Sequence, residues 1–148
     1  MPERAFAEQD PAVRDVVLVV EDEFPNRALL KATVDRATIP RVREAILLEA
    51  STLAEARRIL TTRQVDLIVL DVRLPDGDGL TLARDLNGAE RRPRILVLSA
   101  SVLPSERSMA LDAGTDAFMA KPFVPADVVE TMAGLLDAGP VVTPAGRL

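Results

Sequence analysis

Five polar residues in this sequence have side chains that could do chemistry together, and each follows or closes a short apolar segment. They are Glu21 and Asp22 after VVLVV, Asp71 after LIVL, Ser99 after ILVL and Lys121 after AFMA. Carboxylates close to one another repel unless a cation joins them, so Asp22 and Asp71 in proximity imply a bound divalent ion. Oxygen ligands and an incomplete cage favour Mg²⁺. In such a site Asp71 is placed as a nucleophile that forms an aspartyl phosphate.

The composition excludes several other kinds of chemistry. The 148 residues contain no cysteine and no histidine, so disulfides, thiolate zinc sites, cysteine nucleophiles and imidazole bases are absent. The net charge of -5 argues against nucleic acid or an anionic membrane as a direct partner, because both bind basic surfaces. We therefore expect a protein partner. No segment has the pattern of a signal peptide or a membrane span, and we expect the chain in the cytoplasm.

The apolar segments and the patterns between them indicate one α/β domain. Runs that are apolar on both faces suit parallel strands covered by helices, and they lie at 16–20, 45–48, 67–70, 95–98 and 117–120. Helical patterns lie at 26–36, 52–60, 79–87, 105–113 and from Pro125 onward. This alternation predicts a doubly wound five-stranded parallel sheet flanked by five helices. We expect a flexible leader at 1–15, the domain at 16–137 and a flexible tail at 138–148, where two prolines and two glycines occur.

The predicted sheet would bring the five polar residues to one place. Open parallel sheets bind ligands beyond the carboxyl ends of their strands, and all five residues lie at such ends. There Lys121 would neutralise a phosphoryl oxygen and Ser99 would donate a hydrogen bond to one. Of the 18 basic residues only Lys31 and Lys121 are lysines. A compact ammonium at position 121 is therefore weak evidence for a chemical requirement.

Each of these residues has a simpler interpretation when it is taken alone. Asp22 or Glu23 could cap the helix that follows the first strand. Asp71 could be a turn residue, Ser99 a loop hydroxyl and Lys121 a solvated surface cation. The coincidence of the acids, the hydroxyl and the lysine at one sheet edge favours the chemical interpretation.

The glycine-rich segment at 76–79 does not belong to either of two known ligand-binding patterns. A dinucleotide fingerprint needs Gly or Ala at position 82, which is Leu82. A calcium loop needs a third acid at the right spacing and a closing glutamate, and both are missing. We interpret the segment as a turn.

Four segments together resemble the receiver domain of two-component response regulators, over about residues 16–137. They are LVVEDE, LIVLDVRLPDGDGL, ILVLSAS and FMAKPF, in the family's order and spacing. The resemblance implies a flavodoxin-like sheet with strand order 2-1-3-4-5. It also implies that Asp71 is the phosphoacceptor, that Asp22 binds Mg²⁺ directly, that Glu21 acts largely through water, and that the backbone carbonyl of Arg73 is a further ligand.

The resemblance also implies a switch beside the acceptor. Ser99 is similar to the Ser/Thr switch residue, and Lys121 to the family's lysine, followed by Pro122 in a bond that is usually cis. Phe118 stands at the switch aromatic position, where tyrosine is common; a core phenylalanine is the simpler interpretation. Arg73 and Ser101 lie at positions that tune the lifetime of the aspartyl phosphate in the family. The linker TIPRVR at 38–43, before the second strand, is longer and more basic than the family leads us to expect, and the sequence does not explain it.

The leading hypothesis is a single-domain response regulator. It would take a phosphoryl group from a sensor histidine kinase or a histidine phosphotransfer protein and would signal to a downstream protein target. The signalling surface would be the fourth helix, fifth strand and fifth helix, which could also form a homodimer. The alternatives are a receiver segment of a larger hybrid kinase or transcription factor, and a Mg²⁺ phosphatase with an Asp nucleophile. The phosphatase is disfavoured because such enzymes place a second acid two residues after the nucleophile, and that position is Arg73. A phosphorylation-independent pseudo-receiver is also disfavoured, because every key position is present.

Overall fold

A computed structural model describes residues 13–101 and 103–143. Most of the predicted leader and the last five residues of the predicted tail lie outside these ranges. The strands are β1 (Val16–Val20), β2 (Ile46–Ala50), β3 (Leu67–Asp71), β4 (Arg73–Leu74), β5 (Gly77–Asp78), β6 (Arg91–Arg92), β7 (Arg94–Ser99), β8 (Ala117–Ala120) and β9 (Val141–Val142). The helices are α1 (Phe24–Asp35), α2 (Pro40–Arg43), α3 (Leu53–Thr62), α4 (Leu80–Leu86), α5 (Pro104–Asp112) and α6 (Pro125–Ala138).

The main sheet has five parallel strands in the order β2-β1-β3-β7-β8. These are the five strands predicted from the sequence, and the expected order 2-1-3-4-5 is confirmed. The order reverses beside β1, where the chain crosses first to β2 and then back to β3 on the other side. Because all five strands run the same way, their carboxyl ends share one edge, which we call the carboxyl edge; the opposite edge is the amino edge.

Alternate residues of each central strand face two separate apolar clusters. Leu18, Ile68 and Val97 pack with α3, α4 and α5 on one face. Val17, Val69 and Leu96 pack with α1, α2 and α6 on the other. Because helices cover both faces, β1 is buried along its whole length, as a central parallel strand must be. This rigid support holds the residues at the carboxyl edge.

The described residues contain the five predicted helices and, in addition, a sixth, α2. It lies in the 38–43 linker that the sequence left unexplained. Pro40 occupies the first turn, where its missing N–H costs nothing, and Val42 is fully buried. Arg41 forms ion pairs with Asp15 and Asp137, at 2.7 and 2.9 Å. The basic linker therefore connects the start of β1 to the end of α6.

The first six residues of the predicted tail, 138–143, lie in the described part of the chain. Val141–Val142 pairs with Arg91–Arg92 in a two-stranded antiparallel ribbon, and the guanidinium of Arg94 donates a hydrogen bond to the Gly139 carbonyl at 2.7 Å. Two β-branched residues that meet an unpaired backbone segment can form such a ribbon despite the prolines and glycines around them. The division of the chain into a flexible leader, a domain and a flexible tail stays a prediction.

Across residues 13–101 and 103–143, every helix is too short or too polar to cross a membrane. The expected cytoplasmic location stays a prediction.

Candidate functional site

The strands deliver the predicted site residues to the carboxyl edge through backbone hydrogen bonds. Glu21, directly after β1, donates its N–H to the Ala50 carbonyl at the end of β2, at 2.9 Å. Lys121, directly after β8, donates its N–H to the Ser99 carbonyl at the end of β7, at 2.8 Å. Asp71 closes β3 and is paired in register with Leu98 of β7. The sheet pairing therefore fixes where each of these side chains begins.

Three carboxylates lie together at this edge. Glu21, Asp22 and Asp71 can each offer one oxygen such that all three oxygens lie within 4.8 Å of one another. Glu21 is buried, Asp71 is half-buried and Asp22 is exposed. A set of hard oxygen donors that opens to solvent on one side fits a divalent cation that keeps some of its own water, as Mg²⁺ does. The sequence predicted this cluster, and the structure brings its members together.

Within the described residues, Lys121 provides the one ammonium group that lies among these carboxylates. Its Nζ lies 2.8 Å from Glu21 Oε1 and 3.4 Å from Asp71 Oδ2. Only 18% of the Lys121 side chain is exposed, so it is not the solvated surface lysine that the simpler interpretation required. One cation thus bridges the predicted acceptor and a predicted metal-binding acid.

The charges of Glu21, Asp71 and Lys121 affect one another's pKa in opposite directions. Burial raises the pKa of Asp71, and the nearby Glu21 charge adds to this, while Lys121 partly offsets both. Burial also acts to raise the pKa of Glu21, but the hydrogen bonds from Lys121 and from the Glu23 N–H outweigh it, so that pKa is lowered. Burial acts to lower the pKa of Lys121, and its contacts with Glu21 and Asp71 more than reverse this. Lys121 therefore stays protonated. Asp71 is a carboxylate whose negative charge its neighbours do not fully compensate.

The loop after β3 is held tightly against the acceptor. The Arg73 N–H donates a hydrogen bond to Asp71 Oδ1 at 3.3 Å, and the Gly79 N–H donates one to the Val72 carbonyl at 2.6 Å. A Cβ at Gly79 would overlap the backbone carbonyl oxygen of Asp71, so only glycine allows this approach. From the sequence, Gly79 is predicted only as part of a turn, and this close approach is not predicted. Its position eight residues after the candidate acceptor was the available signal.

Two acids of the same loop act as helix caps. Asp76 accepts hydrogen bonds from the N–H groups of Leu53 and Ala54 at the start of α3, at 2.8 and 3.0 Å. Asp78 accepts one from the Leu80 N–H at the start of α4, at 2.9 Å. The loop is thereby fixed to two helices. The contact between Asp76 and α3 spans 22 residues of chain and could not be found from local sequence.

Ser99 and Phe118 lie on neighbouring strands beside the acidic cluster. Ser99 is buried and its Oγ accepts a hydrogen bond from the Ser101 N–H at 3.2 Å. Phe118 pairs in register with Val97 and packs, half-buried, against the apolar cluster beneath α5. The guanidinium of Arg107 on α5 lies 5.1 Å from the centre of the Phe118 ring, within the range of a cation–π contact. The sequence did not anticipate Arg107.

The Lys121–Pro122 peptide bond is cis, as the resemblance implied. The capping interpretation finds no support at Glu23, which is the N-cap residue of α1 but makes no side-chain capping hydrogen bond. No described contact tests whether the Arg73 carbonyl is a metal ligand, and that assignment stays a prediction.

Comparison with known proteins supports the geometric evidence. The family model of the response regulator receiver domain matches residues 17–133. The KDP operon transcriptional regulatory protein KdpE of Escherichia coli K12 is 43% identical over 107 residues, which are 72% of this chain and 44% of that protein. Protein PetR of Rhodobacter capsulatus is 36% identical over 131 residues, which are 88% of this chain and 52% of that protein. The chain thus spans about half the length of these curated relatives.

Solved structures share the fold. The signal receiver domain of a putative Luxo repressor protein from Vibrio parahaemolyticus has a TM-score of 0.77 at 21% identity, covering 85% of this chain and 92% of that one. A CheY-like response regulator receiver domain protein from Methanospirillum hungatei JF-1 has a TM-score of 0.73 at 21% identity, covering 85% and 96%. The family model matches most of the chain, and the sheet order and the cluster of acids and lysine at the carboxyl edge agree with that match. The chain therefore belongs to the response regulator receiver domain family.

Proposed function

We propose that this domain accepts a phosphoryl group on Asp71 from a phosphohistidine, with Mg²⁺ bound at the carboxyl edge. The observation that carries the proposal is the position of Lys121, whose ammonium contacts both Asp71 and Glu21. A bridging cation of this kind can stabilise negative charge that builds up between the acceptor and the donor. A carboxylate that served only as a turn or a cap would not need it.

In the proposed reaction an Asp71 carboxylate oxygen attacks the phosphorus of the phosphohistidine. The new P–O bond forms as the P–N bond to the imidazole breaks, and the imidazole leaves with the bonding electron pair and takes up a proton. Lys121 compensates the charge on one phosphoryl oxygen, and Ser99 donates its hydroxyl hydrogen to another. The Arg73 N–H keeps the Asp71 carboxylate oriented.

Glu21, Asp22 and Asp71 would hold the Mg²⁺, with the Arg73 carbonyl as a further ligand. Their oxygen donors match the preference of this ion. When bound, Mg²⁺ screens the acidic pocket from the incoming phosphoryl group and stabilises charge on it.

The donor would be a sensor histidine kinase or a histidine phosphotransfer protein. Apolar side chains that are strongly exposed flank the site on both sides: Phe24 follows the acids after β1, and Val124 follows the lysine after β8. Leu29 extends this apolar rim along α1. Exposed apolar surface beside a reactive group favours a protein donor over a small metabolite.

Phosphorylation would be read by a downstream protein at the face formed by α5, β8 and α6. Ser99 and Phe118 connect the site to this face, where Met109 and Leu111 of α5 and Leu103 just before it are exposed. The same face is the candidate surface for a homodimer. No nucleic-acid contact is proposed for this segment, given its net charge of -5.

A second candidate is that the chain is the receiver segment of a longer regulator. Several relatives are named transcriptional regulatory proteins, and the matched segments are about half of their lengths. The open reading frame that contains this sequence distinguishes the two candidates, since a further domain in the same frame would exclude a stand-alone protein.

Intact-mass measurement after incubation with acetyl phosphate and Mg²⁺ tests the chemistry. We expect the wild type to gain the mass of one phosphoryl group and Asp71→Asn to gain none. Asp35→Asn is a matched control, because Asp35 is an exposed partner of Lys31, and it should react like the wild type. An adduct of equal yield on Asp71→Asn, or no adduct on the wild type, contradicts the proposal.

A further inference from the structure

An ion pair connects the loop that follows the candidate acceptor to helix α5. Arg73 lies two residues after Asp71, and Glu106 lies in the first turn of α5. One guanidinium nitrogen of Arg73 is 3.6 Å from Glu106 Oε1. The Arg73 side chain is 82% exposed, whereas that of Glu106 is only 30% exposed. Glu106 is therefore the more buried partner and Arg73 the more solvent-exposed one.

The second carboxylate oxygen of Glu106 has unused bonding capacity. Glu106 Oε2 is buried and accepts no hydrogen bond from any described residue. Buried carboxylate oxygens normally have a donor, because water can no longer reach them. An arginine can satisfy both oxygens of a carboxylate through two parallel N–H groups. Arg73 is the cation already beside Glu106, and its guanidinium is the nearby group that can supply the missing donor.

The space beside the pair allows Arg73 to move. A groove of about 330 Å³ lies between the acceptor loop and α5. Its lining includes Arg73 and Glu106 together with the apolar side chains of Leu74, Leu80 and Met109. The guanidinium can therefore approach or leave Glu106 without displacing core side chains.

A phosphoryl group on Asp71 would compete with Glu106 for the same guanidinium. The Arg73 N–H already donates to Asp71 Oδ1, so the Arg73 side chain begins directly beside the acceptor. A phosphoryl group carries close to two negative charges and strong acceptor oxygens. Arginine pairs with such groups in the same two-pronged way as with a carboxylate.

We propose that Glu106 is a positioning residue that holds the Arg73 guanidinium away from Asp71 until the acceptor is modified. The inference rests on the proposed function of Asp71. When the phosphoryl group arrives, Arg73 exchanges Glu106 for it, and the first turn of α5 loses its ionic connection to the acceptor loop. Helix α5 would thereby sense the charge state of Asp71 separately from Ser99 and Phe118.

A double-mutant cycle with beryllium fluoride and Mg²⁺ tests this inference. We expect Glu106→Gln to tighten beryllium fluoride binding by about two- to fivefold, the effect typical of a partly exposed ion pair. In an Arg73→Gln background the same Glu106→Gln change should have no effect, because the guanidinium that it releases is gone. In an Arg73→Lys background, which keeps a mobile cation, part of the effect should return. Isothermal titration of full-length variants measures each binding constant.

Glu44→Gln is the matched control. Glu44 forms an ion pair with Arg43 at the same 3.6 Å distance, but it lies before β2 at the amino edge, so binding should not change. An equal effect of Glu106→Gln with and without Arg73, or no effect with Arg73 present, overturns the positioning role and leaves the proposed function intact. If the wild type shows no Asp71-dependent binding, the proposed function fails and this inference fails with it.

Discussion

Two half-buried aspartates at opposite edges of the same sheet have side chains of equal exposure and opposite electrostatic surroundings. Asp71 at the carboxyl edge and Asp116 at the amino edge each have 12% of the side chain exposed. Around Asp116, Arg92 and Arg94 form ion pairs at 2.9 and 3.2 Å, and the Ile95 N–H donates a hydrogen bond at 2.8 Å. Around Asp71 two other carboxylates lie close by and one ammonium is shared.

The pKa directions express this difference. Burial acts to raise the pKa of Asp116, but the hydrogen bonds from Arg92 and the Ile95 N–H outweigh it, and that pKa is lowered. For Asp71 burial prevails and the pKa is raised. We call an aspartate saturated when cations and N–H donors compensate its charge, as at Asp116, and unsaturated when they do not, as at Asp71. A saturated aspartate stabilises the fold, whereas an unsaturated one keeps the capacity to bind a ligand. Perturbed carboxylates of the second kind are typical of functional sites.

The largest expected effect on the free energy of unfolding comes from removal of the Asp116 carboxylate. Asp116→Asn would leave Arg92, whose side chain is 8% exposed, without its charge partner, and we expect the free energy of unfolding to fall by about 3 kcal/mol. Urea unfolding measures it. Asp35→Asn, which removes an exposed ion pair, should cost under about 0.5 kcal/mol. Equal losses in the two variants would show that Asp116 is not saturated in the way described.

The next effect concerns the close approach of the acceptor loop. Gly79→Ala would push the loop away from the Asp71 carbonyl, and we expect a loss of about 2 kcal/mol together with slower phosphorylation of Asp71. Gly134→Ala is the control, since a Cβ there meets no atom within 4 Å and should stabilise α6 by about 0.5 kcal/mol. Unfolding and intact-mass kinetics of both variants test this. If the destabilised Gly79→Ala protein is phosphorylated at the normal rate, the close approach of the loop is not needed for the reaction at Asp71.

Removal of the Asp71 carboxylate should have a smaller effect on the free energy of unfolding, and the sign should be opposite. With a chelator present, Asp71→Asn removes one of three mutually repelling carboxylates, and we expect a gain of about 1 kcal/mol. Mg²⁺ at roughly ten times its dissociation constant should stabilise the wild type by about 1.4 kcal/mol and the variant by less. Thermal unfolding with and without Mg²⁺ measures both. A destabilised Asp71→Asn protein would show that Asp71 has a structural role like that of Asp116.

The smallest effect is a dependence on pH. Because the folded-state pKa of Asp116 is lowered, its contribution is fully present above the unfolded value of about 3.9. The contribution is lost as the pH falls through the lower folded value. The stability difference between wild type and Asp116→Asn should therefore shrink below about pH 4 and stay constant between neutral pH and that point. Urea unfolding across this range checks it, and a difference that shrinks near neutral pH would contradict the lowered pKa.

Much of the site was predictable because its residues follow strands. Glu21, Asp22, Asp71, Ser99 and Lys121 each come directly after, or at the end of, an apolar run, and parallel strands align such positions at one edge. Gly79 and Asp76 were harder to predict, because one acts through a steric approach to Asp71 and the other through a cap on α3. Neither of these contacts has a periodic signal.

The sequence alone determined the strand and helix alternation and the chemical types that meet at the carboxyl edge, because both follow from apolar periodicity and from the position of polar residues after it. Only the tertiary structure decided which charges are saturated. Arg92, Arg94 and Asp116 are brought together by the pairing of β7 with β8, and Arg73 meets Glu106 because α5 packs beside the acceptor loop. Such contacts join residues far apart in the chain, and the distances that set their energies exist only once the sheet has formed.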